Sequence, residues 1–153
     1  MIVFRLSKTK YNKDLSGKGA EISGGRWNSK GMPMIYTSLS RALCTVEIAV
    51  HTPLGNLPKE YNLITIEIPD HCQMTELKAS KLPANWKSFP HPNSTQTVGD
   101  KFLMNSKYLG MKVPSVVVQG DYNLLINPNH RDIHNIKIVN IEPFTFDERL
   151  FNR

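Results

Sequence analysis

With 153 residues, 40% of them hydrophobic, the chain has the size of one globular domain and enough apolar content for a single core. Lys and Arg number 19 against 13 acidic residues, a net charge of +6 and a pI near 9.4, so the surface favours polyanions or phosphorylated small molecules, but scattered cations argue against a nucleic-acid stripe. No apolar run reaches the ~18 residues of a membrane span, MIVFRLSKTKYNK reverses the order of a signal peptide, and Cys44 and Cys72 lack metal-ligand spacing, so the expectation is a cytoplasmic protein with free thiols, no metal and no membrane.

In chain order, IVFRL (2–6) alternates and reads as a strand carrying Arg5. The following YNKDLSGKGAEISGGRWNSKGMP is a long loop by composition, and loops of that length usually carry function. MIYTS (34–38) reads as a short strand. SLSRALCTVEIAVH (38–51) has apolar residues at helical recurrence, with Ser38 or Ser40 available as N-cap, and predicts a helix. YNLITIEIP (61–69) alternates as a strand ending at Pro69. From 70 to 100, Pro83, Pro90 and Pro92 around Trp86 predict connections with short helical turns, and TVGDKFLMNSKYL (97–109) predicts a helix. VPSVVVQ (113–119) predicts a buried strand, YNLLINP (122–128) another, and IKIVNIEPFTF (136–146) a last one. Five or six strands with two or three helices predict a single α/β (mixed α+β) domain over residues 1–153, with a small mixed sheet flanked by helices.

Two patches carry chemistry. In GGRWNSKG (24–31) the glycines admit close main-chain approach, and Arg26 offers a guanidinium fork suited to phosphate. A surface turn with Arg26 paired to a local carboxylate is the competing reading. On the helix, an apolar stripe centred on Leu39, Leu43, Val46 and Val50 places Glu47 at its edge, with His51 four residues on and on the same side. A rim carboxylate and a capping histidine are the plainer alternatives. The glycine patterns of dehydrogenase-type cofactor loops and of phosphate-binding P-loops are absent, so any nucleotide is a substrate rather than a resident cofactor.

The order GGRWNSKGMPMIYTS, SRALCTVEIAVH, VPSVVVQGDYNLLINPNH resembles the RES domain, a family named for an Arg, Glu and Ser signature that falls here on Arg26, Glu47 and Ser115. The resemblance runs from Arg5 to about His130, and the middle segment matches nothing in it. It implies an ADP-ribosyltransferase-like fold and the toxin of a type II toxin–antitoxin pair. It also implies a homodimer, a partner antitoxin of Xre-like helix-turn-helix type, and contact with nucleic acid only through that antitoxin. The activity implied is cleavage of the nicotinamide–ribose bond of NAD by water or phosphate; transfer of ADP-ribose to a protein, or a basic RNA-cleaving toxin, are the alternatives. On this reading Glu47 stabilises the oxocarbenium-like ribose, His51 supports it, Arg26 binds a phosphate, and Tyr36, with Trp27 second, offers an aromatic surface to nicotinamide. Ser115 bonds substrate from the start of a buried strand. Arg5 binds phosphate or ribose, with Asn28, Lys30 and Asn127 as further contacts.

Overall fold

The computed structural model describes residues 1–152. Among them, seven strands form one sheet: β1 (Ile2–Lys8), β2 (Ile35–Ser38), β3 (Tyr61–Glu67), β4 (Met74–Glu76), β5 (Gly110–Pro114), β6 (Tyr122–Ile126) and β7 (Lys137–Phe144). Their order is β4-β5-β6-β2-β1-β3-β7, and the sheet is mixed, because β4 runs parallel to β5 while every other neighbouring pair is antiparallel. Three α-helices accompany it: α1 (Lys18–Ser23), α2 (Arg41–His51) and α3 (Asn93–Asn105). The fold is thus the mixed α/β class that the pattern of elements predicts.

Strand alternation divides the core. Leu124 and Ile126 of β6 join Val3, Ile35, Ile64 and Ile66 in one apolar cluster, whereas Leu125 between them joins a second with Met34, Met111, Val113 and residues of α3. A third cluster packs Cys44 and Ile48 of α2 against Leu6, Leu63, Phe146 and Phe151. The two larger helices therefore cover different halves of the sheet. Between those halves, β1 and β2 share a single register pair, Phe4 with Ser38, against seven for β1 with β3. Past that pair the strands part, and the opening becomes the floor of a cleft.

α2 begins where Ser40, in an extended conformation, accepts a hydrogen bond from the Leu43 amide; of the two serines available as N-cap, the second takes the role. Its buried side is Leu43 and Cys44, with Ile48 and Ala49 packed alongside, while Val50 is exposed. The stripe is thus rotated from the one predicted through Val46 and Val50, because the helix leans on β1 and β3. Ser40→Ala removes the side-chain acceptor of the Leu43 amide and costs about 1 kcal/mol, read as a lower urea midpoint at unchanged slope. A midpoint equal to the parent's would show that α2 is held by packing alone.

Several expectations need correcting. The long loop after β1 contains α1 and a Gly25–Asn28 bridge; six residues are too few for a periodic signal. The predicted helix at 97–109 lies four residues earlier, because the chain turns helical straight after Pro92, Thr95 donates back to the Pro92 carbonyl, and Ser106 ends the helix in a left-handed conformation at φ 52°. The short β4 falls in the stretch read as connections. The strand placed at 113–119 is β5, ending at Pro114: the Ser115 hydroxyl accepts from the amides of Val117 and Val118, which turns the valine run out of the sheet.

Candidate active site

The cleft opens from the parting of β1 and β2 and has two lobes. The larger, about 680 Å³, is bounded by Gly24 to Trp27, α2, the segment carrying Lys87, Phe89 and His91, and the turn at Val116 and Val117. The smaller, about 280 Å³, lies over Arg5, Leu6, Met34, Cys44 and Ile48. Glu47, Tyr36, His51 and Asn123 line both. The larger lobe alone has the volume that takes a small ligand, and the carboxylate stands where the lobes meet.

The GGRWN segment is shaped from beneath. Asn28 is fully buried, and its amide donates to the carbonyls of Ala20 (2.8 Å) and Met32 (2.9 Å). Tyr36 Oη donates to Asn28 Oδ1 at 2.6 Å and accepts from the Trp27 amide at 3.1 Å. Burial, chiefly, raises the phenol pKa far above its ordinary value, which keeps it a donor. A Cβ on Gly25 would lie 2.6 Å from Tyr36 Oη, so only glycine lets the loop sit this low. From α3, Gln96 donates to the carbonyls of Gly25 and Asn28, and Asp100 accepts from the Ser29 amide and hydroxyl. Tyr36→Phe leaves Asn28 Oδ1 and the Trp27 amide without this partner and lowers stability by about 2 kcal/mol. Denaturant midpoints check this, and a variant as stable as the parent would show that the loop needs no tie to β2.

Arg26 reaches across the mouth. Its Nη1 donates to the carbonyls of Trp86 (2.6 Å) and Ser88 (3.1 Å), which pins the 86–88 segment over the cleft. Among the described residues no carboxylate pairs with it, contrary to the competing reading. Two carbonyls occupy one nitrogen of a five-donor fork, so the remaining edge is free for a ligand in the cleft it lines. Partial burial lowers the Arg26 pKa, and the charge of Glu47 opposes that. His91 is pushed below the ordinary imidazole value by burial and then by the charges of Arg26 and His51, so it is neutral at pH 7.

Glu47 projects from α2 into the cleft with one oxygen committed. Oε1 accepts from Ser115 Oγ at 3.0 Å and from Asn123 Nδ2 at 2.7 Å. Oε2 has no hydrogen-bond partner among the described residues. Ser115 spends its one proton on Glu47 and takes two amides in return, so its hydroxyl has nothing left for a substrate.

The structure gathers Arg26, Glu47, Tyr36 and His51 in one cleft, brings Arg5 to the smaller lobe, and sets Ser115 behind Glu47. His51 makes no hydrogen bond with Glu47; it lies at the exposed end of α2. Trp27 lines the larger lobe, but its ring is 4% exposed and packs on Trp86 at 6.4 Å, which leaves no open stacking face. Asn28 serves the loop. Lys30 is exposed outside the cleft, and Asn127 is buried at the end of α3, donating to Leu103 and Ser106. Arg5 is tied to the carbonyl of Asp14 and pays for burial with a lowered pKa. Asn123, Gln96, Lys87 and His91 escape sequence reasoning: Asn123 is one polar letter in an apolar strand, and the other three lie in or beside the proline-rich stretch.

The mostly antiparallel sheet, split at its centre beneath a cleft lined by both a carboxylate and a guanidinium, defines a small α/β domain. The RES domain matches residues 2–147, and the chain belongs to that family. It is 37% identical over 153 residues to a protein of Yersinia enterocolitica named Toxin Res, covering 98% of this chain and 99% of that one. It is 36% identical over 149 residues to the Prs ADP-ribosylating toxin of a Sphingobium strain, covering 96% and 92%. In fold it is similar to a chain from the MbcT–MbcA toxin–antitoxin complex of M. tuberculosis, with a TM-score of 0.74 at 22% identity, over 98% of this chain and 86% of that one.

Proposed function

We propose that the chain is the toxin of a toxin–antitoxin pair and that it acts by breaking the bond between nicotinamide and ribose in NAD. The observation that carries this reading is the convergence of Arg26 and Glu47 on one cleft, with the Glu47 carboxylate at the junction of its two lobes. Arg26 and Lys87 suit the pyrophosphate, and the smaller lobe, with its apolar wall beside Tyr36, suits a departing neutral ring.

In this reaction the C1′–N bond of the ribosyl pyridinium breaks and its electron pair goes to the ring nitrogen, so nicotinamide leaves uncharged. The positive charge moves to the ribose C1′ and ring oxygen, where the fixed carboxylate of Glu47 stabilises it. Water, losing a proton, or an oxygen of inorganic phosphate then closes the new bond at C1′. A nucleophilic side chain of a target protein can take the same place, and that second reading has its support in the 36% identity to a relative named as an ADP-ribosylating toxin. All three acceptors require the same first step. NAD is a substrate here, with no resident cofactor or metal.

Incubation of the protein with NAD, with and without phosphate, and identification of the products separates the acceptors. Nicotinamide appears in every case, with ADP-ribose, its 1″-phosphate or a labelled protein beside it. Intact NAD with degraded RNA would replace this reading by that of a basic ribonuclease. The antitoxin partner, a helix-turn-helix protein in this proposal, keeps the toxin inactive inside the cell, and the toxin pairs with itself as a homodimer. Co-purification with the neighbouring gene product tests the first of these, and sedimentation the second.

A further inference from the structure

Asn123 stands on β6 directly opposite Ser38 of β2, the residue that makes the single register pair between β1 and β2. Its amide is held at both ends. Oδ1 accepts from Ser38 Oγ at 2.7 Å, and Nδ2 donates to Glu47 Oε1 at 2.7 Å. The carboxylate only accepts, so the NH₂ end turns to Glu47, and the Ser38 hydroxyl, which can donate, holds the carbonyl end on the side of β2. Ser115 donates to the same Oε1 from another direction, out of the turn after β5. Two donors on one oxygen fix the carboxylate plane and leave Oε2 free toward the lobes that Glu47 lines.

We propose that Asn123, held from behind by Ser38, is the positioning residue that presents the free Oε2 of Glu47 to the ribose of the substrate. This rests on the NAD-cleaving reading above and deepens it. A carboxylate on a helix has three side-chain torsions to freeze, and Ser115 alone leaves it able to pivot about one bond. With Asn123 added, the charge is already in place when the ribose becomes cationic, and no reorganisation is spent at that moment. Asn123 also lines both lobes, so it stands at their junction as Glu47 does.

Steady-state kinetics of nicotinamide release, measured across pH for the parent and for Asn123→Ala, Asn123→Asp and Ser38→Ala, test the assignment. Asn123→Ala is expected to lower kcat by about 10²-fold with KM within a few-fold of the parent. Ser38→Ala gives a smaller loss of kcat in the same direction. Asn123→Asp keeps the size of the side chain and sets a second carboxyl against Glu47, so the two share a proton. Arg5, Arg26, Tyr36, Cys44, His51, Lys87 and His91 line the same two lobes as this pair in parent and variant alike. At low pH the proton on the Asn123→Asp side chain supplies the missing donor, and activity rises; as the pH climbs and the proton leaves, repulsion turns the Glu47 carboxylate away and activity falls. The optimum therefore moves to lower pH than the parent's, which a residue with a merely structural role would not do. An Asn123→Ala kcat equal to the parent's, or an Asn123→Asp profile of parental shape, overturns the assignment while the NAD reading stands. A folded parent that leaves NAD intact overturns both.

Discussion

Glu47→Gln is expected to slow nicotinamide release by about 10³-fold, the loss of some 4 kcal/mol of transition-state stabilisation, with little change in stability. The two halves of this expectation come from the same geometry. A glutamine oxygen can still accept from Ser115 and Asn123, which bind only Oε1, so the turn after β5 and the end of β6 stay where they are. The charge is gone, however, and a neutral amide gives the cationic ribose little help. KM is expected to change less than kcat, because on the proposed reading the pyrophosphate is held by Arg26 and Lys87, which line the larger lobe. A Glu47→Gln protein with parental turnover would remove Glu47 from the chemistry. One that unfolds would show that the charge, rather than the hydrogen bonds, holds the cleft together.

The second large effect falls on a residue without chemistry of its own. Gly99 lies within α3, where alanine ordinarily gains about 1 kcal/mol over glycine. Here the backbone of Trp27 rests directly on it, and a Cβ would be placed 1.6 Å from the Trp27 carbonyl oxygen. Backbone cannot move aside as the end of a side chain can, so Gly99→Ala must push the GGRWN segment off the helix. The hydrogen bonds of Gln96 and Asp100 to that segment break with the displacement. A loss of about 3 kcal/mol follows, with activity falling further because Arg26 leaves its place over the cleft. Melting temperature and nicotinamide release measured together check it. If Gly99→Ala is as stable and as active as the parent, the close contact of α3 with the loop is not what shapes the site.

How much of this the sequence discloses depends on how locally each feature is encoded. α2 is legible because Ser40 and the apolar residues after it obey helical rules within eleven residues, and β3 because YNLITIE is a short run rich in apolar and β-branched residues, although the structure buries it on both faces from Asn62 to Ile66 rather than on one, as alternation predicts. The Arg26 and Glu47 pair is legible as two unusual patches on one loop and one helix, though their meeting depends on the sheet between them. What escapes is long-range. The valine run after Pro114 has every local mark of a strand, but a single hydroxyl at Ser115 bends it into a cleft wall. Asn123 reads as an ordinary polar residue until Glu47 and Ser38, 76 and 85 positions away, are seen to hold the two ends of its amide. Asn28 and Asn127 share a residue type and a flanking turn with many ligand contacts, and only burial tells that they tie backbone together. The proline-rich stretch discourages any helix, yet Pro92 immediately precedes one and thereby sets where α3 starts.

The most direct test is a comparison of NAD turnover and growth inhibition in the parent, Arg26→Ala and Glu47→Gln, each shown to be folded. The parent should release one nicotinamide for every NAD consumed and arrest growth when expressed without its antitoxin, and both variants should lose the two effects together. Growth arrest that persists in the Glu47→Gln cells while their NAD stays intact would contradict it.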